Sequence, residues 1–237
     1  MTDFTLLIPV YNPTEHFGNL LKNIEKVVQA TPYRWHIVVV NDGSRHWYEM
    51  PQLNIPLTVL RHSCNKGKGA ALKTGFQYVL TQQPLTRAVI TMDGDWQHLP
   101  RNIPTFVRRF NASKADMVLG VRPRDWRTMP IHRIASNFLT SLIISTLIGQ
   151  KVPDSQSGFR LIQTNTLRKL FNRLKENRFH LESEMIIHLG WMKGTIQTVP
   201  IPTIYNGAPS AIKNWPDTLN FIALIARLVM QRMWGNV

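Results

Sequence analysis

Two aspartates one residue apart, Asp93 and Asp95, close a short apolar run in Val89-Ile-Thr-Met-Asp93-Gly-Asp95. Carboxylate oxygens are hard donors, and Mg²⁺ or Mn²⁺ is typically held by one or two of them together with substrate phosphates. Gly94 between them lets the backbone turn or lets a ligand come close. A bounded apolar run of this length reads as a buried strand, and ligands of open α/β sheets sit beyond the carboxyl ends of the strands. Both acids therefore fall where chemistry is expected. Asp-x-Asp is equally common as a solvated polar turn, so its surroundings must decide.

Those surroundings repeat the pattern. Phe4–Val10 is an apolar run followed by Tyr11-Asn12, Trp35–Val40 ends in Asn41-Asp42-Gly43-Ser44, and Met117–Val121 ends in Arg122. Polar residues recurring at successive strand ends (Tyr11, Asp42, Asp93, Asp95, Arg122) favour a ligand crevice over unrelated turns. Between the runs lie helical patterns. Phe17, Leu20, Leu21, Ile24, Val27 and Val28 fit a helix over about 15–30 with Thr14 as N-cap. A basic glycine turn, Cys64-Asn-Lys-Gly-Lys-Gly69, precedes a helix over about 70–80. Leu57–Leu60 is a short strand, Ala88–Met92 carries the acid pair, and a helix near 104–110 leads to Met117. Strands alternating with helices predict an α/β domain with a mainly parallel sheet covered on both faces.

After Val121 the chain changes character. The pattern predicts a basic loop at 122–127, a helix over 132–148, a polar turn-rich segment at 152–160 and a helix over 181–192 carrying Glu182 and Glu184. A strand over 195–199 follows, then extended chain to Tyr205. Residues 217–234 read as a long apolar helix flanked by Arg227 and Arg232. Its periodicity fits packing on the core and fits a lipid interface equally well.

The 237 residues are 43% hydrophobic, enough for a sizeable core in one large domain. Lys and Arg outnumber Asp and Glu by 28 to 14, a formal net charge of +14. That favours polyanionic partners, whether nucleic acid, an anionic membrane surface or phosphorylated substrates. A nucleic-acid-binding module would interleave aromatics with Lys and Arg on one face. The tryptophans here are scattered, and no nucleic-acid partner is expected. The single cysteine, Cys64, precludes an intrachain disulfide and fits a reducing compartment. The N-terminus lacks the basic start and apolar core of a signal peptide, and no apolar run reaches the ~20 residues of a membrane span. The expected location is cytoplasmic.

Taken together, the motifs resemble family 2 glycosyltransferases of the GT-A fold, and most closely the dolichyl- or polyprenyl-phosphate mannose or glucose synthases. The resemblance rests on Ile8-Pro-Val-Tyr-Asn12, Asn41-Asp-Gly-Ser44, Asn65-Lys-Gly-Lys-Gly-Ala-Ala71, Asp93-Gly-Asp-Trp-Gln-His-Leu-Pro100, Ser157-Gly-Phe-Arg160, Glu182-Ser-Glu184 and Val199–Tyr205. It runs from about Thr5 to Asp217. Pro13 stands where many members have Glu, and Trp96 is bulkier than the usual residue. The resemblance implies a catalytic domain over 1–214 and a C-terminal amphipathic helix over 215–237.

It also implies an inverting, metal-dependent hexosyl transfer from a UDP- or GDP-linked sugar to a polyprenyl phosphate. Asp93, Asp95 and Gln97 would hold Mg²⁺ or Mn²⁺. Pro9, Tyr11, Asn12, Asp42, Lys68, Asp93 and Gly94 would line the nucleotide. Arg122, Arg133, Arg160 and Lys213 would hold the acceptor phosphate, whose guanidinium and ammonium partners suit an oxyanion. Glu182, Glu184 and Asp154 would grip sugar hydroxyls. An acceptor phosphate is already an anion and needs no strong base, whereas a saccharide or glycolipid hydroxyl would need one, with Asp154 or Glu184 as candidates. On the phosphate reading, Asp95, Arg133, Arg160 and Asp154 form the catalytic set. Two further alternatives are a saccharide-directed enzyme of the same family and an inactive sugar-nucleotide-binding protein. The retained acid pair argues against the latter. A lipid acceptor would place the protein peripherally on the cytoplasmic face of a membrane, where each nearby Lys or Arg adds ~1 kcal/mol.

Overall fold

A computed structural model describes residues 2–123, 131–202 and 214–235. Two compact units are present, residues 1–204 and 205–237. The first is an α/β layer structure around a seven-stranded sheet of order β3-β2-β1-β4-β6-β5-β7. The strands are β1 (Phe4–Val10), β2 (Trp35–Asn41), β3 (Leu57–Arg61), β4 (Ala88–Thr91), β5 (Met117–Val121), β6 (Arg160–Gln163) and β7 (Ile196–Pro200). All pairings are parallel except those of β6, which runs antiparallel to both β4 and β5.

The strands are almost continuously apolar because both faces are covered. On one face Phe4, Leu6, Ile8, Ile37, Val39 and Ile90 join the core formed with α1 (Phe17–Gln29) and α3 (Ile103–Ser113). Each fully buried side chain of this size stabilises by about 1.5–3 kcal/mol. On the other face lies α2 (Lys68–Gln82). Gly75 lets it approach, since a β-carbon there would stand 2.1 Å from Leu7 Cδ1. The alternation read from the sequence thus gives the two-sided sheet.

Local differences have physical causes. The first helix begins at Phe17, and its N-cap His16 makes no side-chain cap hydrogen bond. Thr14 contributes its carbonyl instead, accepting from the Phe17 N–H at 3.0 Å. The second helix starts two residues earlier than expected, at Lys68. Strand β6 and helix α5 (Thr164–Phe171) were not expected at all. The α4 helix (Ile131–Ile148) packs against α6 (Leu181–Trp191), where the Trp191 indole donates to the Leu147 carbonyl at 3.4 Å. Its buried face is largely polar, with Asn137, Thr140 and Ser141 inside, while Leu139 and Leu142 face solvent. In the second unit, α7 spans Asn214–Met233. Among the described residues, no helix is long and apolar enough to cross a membrane.

Candidate active site

The acid pair sits just past the end of β4. The Asp93 N–H donates to His98 Nδ1 at 3.0 Å. That bond requires Nδ1 to accept, so the ring is neutral with its proton on Nε2. Burial agrees, pulling His98 down to about 4. His98 stacks on Phe159 at 5.0 Å, and Phe159 stacks on Phe106 at 4.3 Å, which anchors the acid turn to the core. The contact of His98 Nδ1 with Asp93 Oδ2 at 3.9 Å is therefore not an ion pair.

The Asp93 partner is Lys68, whose Nζ lies 2.6 Å from Asp93 Oδ1 and 3.1 Å from Glu182 Oε1. Burial pushes the Asp93 carboxyl up, but the Lys68 ammonium outweighs it and holds the group at about 2. Removal from water pulls Lys68 down, and the Asp93 and Glu182 carboxylates more than reverse that. Asp95 is exposed. Loss of solvation and then the Asp93 charge push its carboxyl up, and its Oδ1 accepts from the Gln97 N–H at 3.0 Å. Trp96 between them has φ +65°, in the left-handed region, and its indole donates to the His16 carbonyl at 3.2 Å. The bulk that departs from the family pattern at Trp96 thus ties the acid turn to the start of α1.

Glycines pack against this cluster. A β-carbon at Gly158 would stand 2.8 Å from both Asp93 Oδ2 and Lys68 Nζ. The Gly158 carbonyl accepts from Thr91 Oγ1 at 2.8 Å, which fixes the segment over the end of β4. Gly94 is forced from below, where a β-carbon would meet Phe17, Val10 and Ile8 at 3.1–3.4 Å.

Asp42, expected to line the nucleotide, orders the backbone of the glycine turn. It is 3% exposed, and its carboxylate accepts from the Lys66 N–H at 2.9 Å, the Gly67 N–H at 2.8 Å and His62 Nδ1 at 2.7 Å. The other His62 nitrogen meets Thr74 Oγ1 at 2.9 Å. Asp42 thereby holds the glycine turn that launches Lys68. Gly67, at φ +100°, supplies the backbone conformation. Nearby, the Asn12 N–H donates to Ser44 Oγ at 2.8 Å, and Asn12 Oδ1 accepts from the Arg45 N–H at 2.9 Å. Tyr11 is exposed and Pro9 half-buried beside this loop pair.

In the second half of the chain, three of the expected site residues have protein partners. Arg160 is 1% exposed, and its guanidinium donates to the carbonyls of Ser157 at 2.7 Å, Ser155 at 2.8 Å and Glu182 at 2.5 Å. It braces the 155–158 segment against α6. Asp154 is 1% exposed, and Arg122 grips it with Nε at 2.8 Å and a second guanidinium nitrogen at 3.0 Å. Asn137 adds a bond at 2.9 Å, so both carboxylate oxygens of Asp154 have protein partners. Glu184 is wholly buried, and its Oε2 accepts from the Lys175 and Glu176 N–H groups, each at 2.9 Å. Glu182, by contrast, joins the site through Lys68. The Arg133 side chain and Lys213 lie outside the described residues, as does the Asn206-Gly207 turn.

Comparison with known proteins decides the family. The glycosyl transferase family 2 model matches residues 5–171. This chain belongs to that family. It is a glycosyltransferase. A UDP-N-acetylglucosamine–dolichyl-phosphate N-acetylglucosaminyltransferase of Methanococcus voltae is 31% identical over 84% of this chain and 85% of its own length. An uncharacterised Methanocaldococcus jannaschii protein is 30% identical over 97% of this chain and 92% of its own. Among solved structures, glucosyl-3-phosphoglycerate synthase from Mycobacterium tuberculosis, in complex with Mn²⁺, UDP and glucosyl-3-phosphoglycerate, superposes with TM-score 0.67 at 15% identity. That match covers 97% of this chain and 80% of that one. The fold is GT-A.

The family 2 site fits a divalent cation in its donor set. Among the described residues no group of three or more His, Cys, Asp or Glu could cage a metal. Two carboxylates at a strand end match instead an ion that completes its shell from a diphosphate. Asp95 is the more accessible donor, because Lys68 already stands on Asp93. The sequence did not single out His62, His98 or the Gly158 contact. Only their place inside the Gln-His and Ser-Gly-Phe-Arg motifs could have flagged His98 and Gly158, and His62 lies in none of the quoted motifs.

Proposed function

We propose that this family 2 enzyme moves a hexose from a UDP- or GDP-linked sugar to a polyprenyl phosphate, with inversion at the anomeric carbon. The observation that carries the acceptor class is the state of the two candidate general bases. Asp154 is gripped by Arg122 and Asn137, and Glu184 is buried on two N–H groups. An acceptor that brings its own oxyanion needs neither. The names of relatives support the same class, including a dodecaprenyl-phosphate galacturonate synthase of Rhizobium johnstonii, 23% identical over 71% of this chain and half of its own length.

The chemistry is a single displacement. An acceptor phosphate oxygen forms a bond to C1 as the bond from C1 to the donor diphosphate breaks, and the nucleoside diphosphate leaves with the electron pair. Mg²⁺ or Mn²⁺ supplies Lewis-acid neutralisation of that leaving group. Asp95 holds it, with Asp93 and Gln97 assisting. Lys68 stands where it faces the diphosphate, Glu182 restrains Lys68 and reaches the sugar, and Pro9, Tyr11, Asn12 and Gly94 line the nucleotide. Asp42 serves the nucleotide through the glycine turn. Arg122, Arg133 and Lys213 receive the acceptor phosphate.

Residues 1–214 form the catalytic part, and 215–237, which include most of α7, meet the cytoplasmic face of a membrane peripherally. The +14 charge and the basic Arg227 and Arg232 on α7 support such a contact, and in the first unit Leu139 and Leu142 of α4 are exposed apolar side chains. A donor screen with purified protein and polyprenyl phosphate, with Mn²⁺ or Mg²⁺ and with EDTA, tests the reading. One UDP- or GDP-sugar should yield a lipid-linked product that disappears in EDTA. Undiminished transfer in EDTA would remove the metal from the account.

A further inference from the structure

Lysine is an unexpected residue at the first position of α2. The amino end of a helix carries a partial positive charge, which favours Asp or Glu there and disfavours a cation. The first turn of α2 contains no acid, and its first residue is Lys68. The compensation comes from elsewhere in the chain. Asp93 arrives from the end of β4 at 2.6 Å and Glu182 from the first turn of α6 at 3.1 Å. Asp42 pins the turn before Lys68, and the Gly158 backbone closes over the ammonium. The Lys68 side chain is 17% exposed, against 26% for Asp93. Four separate segments thus hold one ammonium against a carboxylate assigned to the metal.

From this geometry we infer that Lys68 is the resident counter-ion of Asp93 and sets the order in which the site fills. It suppresses binding of free divalent metal, and it becomes a partner of the diphosphate once metal and nucleotide are present together. This rests on the metal reading above. With Lys68 in place, a divalent ion entering alone must either displace an ammonium from Asp93 or settle for the exposed Asp95 with water. Like charges at this range repel. When a nucleoside diphosphate enters with the ion, its oxygens complete the metal shell and also give the Lys68 ammonium a new partner. The same lysine therefore opposes one ligand and favours the other. A lysine that merely kept Asp93 in place would favour both.

The test is direct binding of Mn²⁺ by electron paramagnetic resonance, with and without UDP or GDP, on wild type, Lys68→Gln and Lys68→Arg. Wild type should bind Mn²⁺ at least about a hundredfold more tightly with nucleotide than without. Lys68→Gln should bind free Mn²⁺ about tenfold more tightly than wild type, and bind nucleotide about tenfold more weakly in the presence of Mn²⁺, a full charge at this range being worth such factors. Lys68→Arg should behave like wild type in free Mn²⁺. Weaker or unchanged binding of free Mn²⁺ by Lys68→Gln overturns the inference. If Lys68→Gln does not fold, wild type alone decides, since equal Mn²⁺ affinity with and without nucleotide also overturns it. A wild type that binds no Mn²⁺ even with nucleotide contradicts the metal reading itself, which is a different result.

Discussion

Gly158 lies so close over Asp93 that a β-carbon at that position would stand 2.8 Å from Asp93 Oδ2 and 2.8 Å from Lys68 Nζ. A β-carbon cannot sit that close to an oxygen or a nitrogen, so an alanine there must displace the Asp93 carboxylate or the Lys68 ammonium, which are paired at 2.6 Å. Gly158→Ala should therefore leave the sheet intact while separating Lys68 from Asp93. The expected outcome is a stability loss of about 1–3 kcal/mol, the usual range for overpacking. It should come with a fall in kcat/KM of about a hundredfold, comparable to losing one stabilising group. Denaturant unfolding and steady-state kinetics on the same preparation check both.

Asp95 is exposed and lies outside the hydrophobic core. Asp95→Asn should shift stability by no more than about 0.5 kcal/mol while lowering turnover by about a hundredfold or more. Wild-type thermal unfolding with wild-type turnover in that variant would remove Asp95 from the reaction.

The Arg122–Asp154 pair gives a pH dependence whose sign follows from the direction of the shift. Burial raises the Asp154 carboxyl, but the Arg122 hydrogen bonds and charge outweigh it, and the folded value lies below the ordinary one. On acidification the unfolded chain takes up the proton first. The stability this pair contributes is complete above about pH 4 and is lost as pH falls through the depressed folded value. Asp154→Asn should cost about 3 kcal/mol near neutrality, the lower end for breaking a buried pair, because Arg122 retains 21% exposure. The difference from wild type should shrink at acid pH, as read from denaturant unfolding across a pH series.

Much of this could be read from the chain, and what could not be read shares one cause. Strand ends were legible because fully buried parallel strands are continuous apolar runs that stop abruptly, as at Asp42 and Asp93. Strand β6 was not, because it has four residues with only Leu161 and Ile162 apolar, and its pairing with both β4 and β5 is a property of the assembled sheet. The same segment explains Arg160. An arginine in a motif reads as a ligand contact, and this one donates to two backbone carbonyls of an irregular loop, Ser155 and Ser157, and to the Glu182 carbonyl in the first turn of α6. Asp154, Glu184 and Asp42 repeat the lesson. Each is a charged side chain ordering backbone beside the site, and its partners lie eight or more residues away in sequence.

Membrane contact predicts salt-sensitive binding to vesicles. The protein should float with phosphatidylcholine vesicles containing phosphatidylglycerol and much less with phosphatidylcholine alone, since headgroup charge carries part of the attraction. Leu139→Ser with Leu142→Ser should weaken flotation several-fold, because apolar area carries the rest. Equal flotation on neutral and anionic vesicles would show that the +14 charge plays no part.

The acceptor class is tested most directly by offering the enzyme a polyprenyl phosphate and the polyprenol of the same chain length, with labelled donor sugar and Mn²⁺. With Asp154 and Glu184 both occupied, the phosphate should be glycosylated with inversion and the alcohol left untouched. Transfer to the alcohol at a comparable rate would mean that the site supplies a base, and would contradict the account.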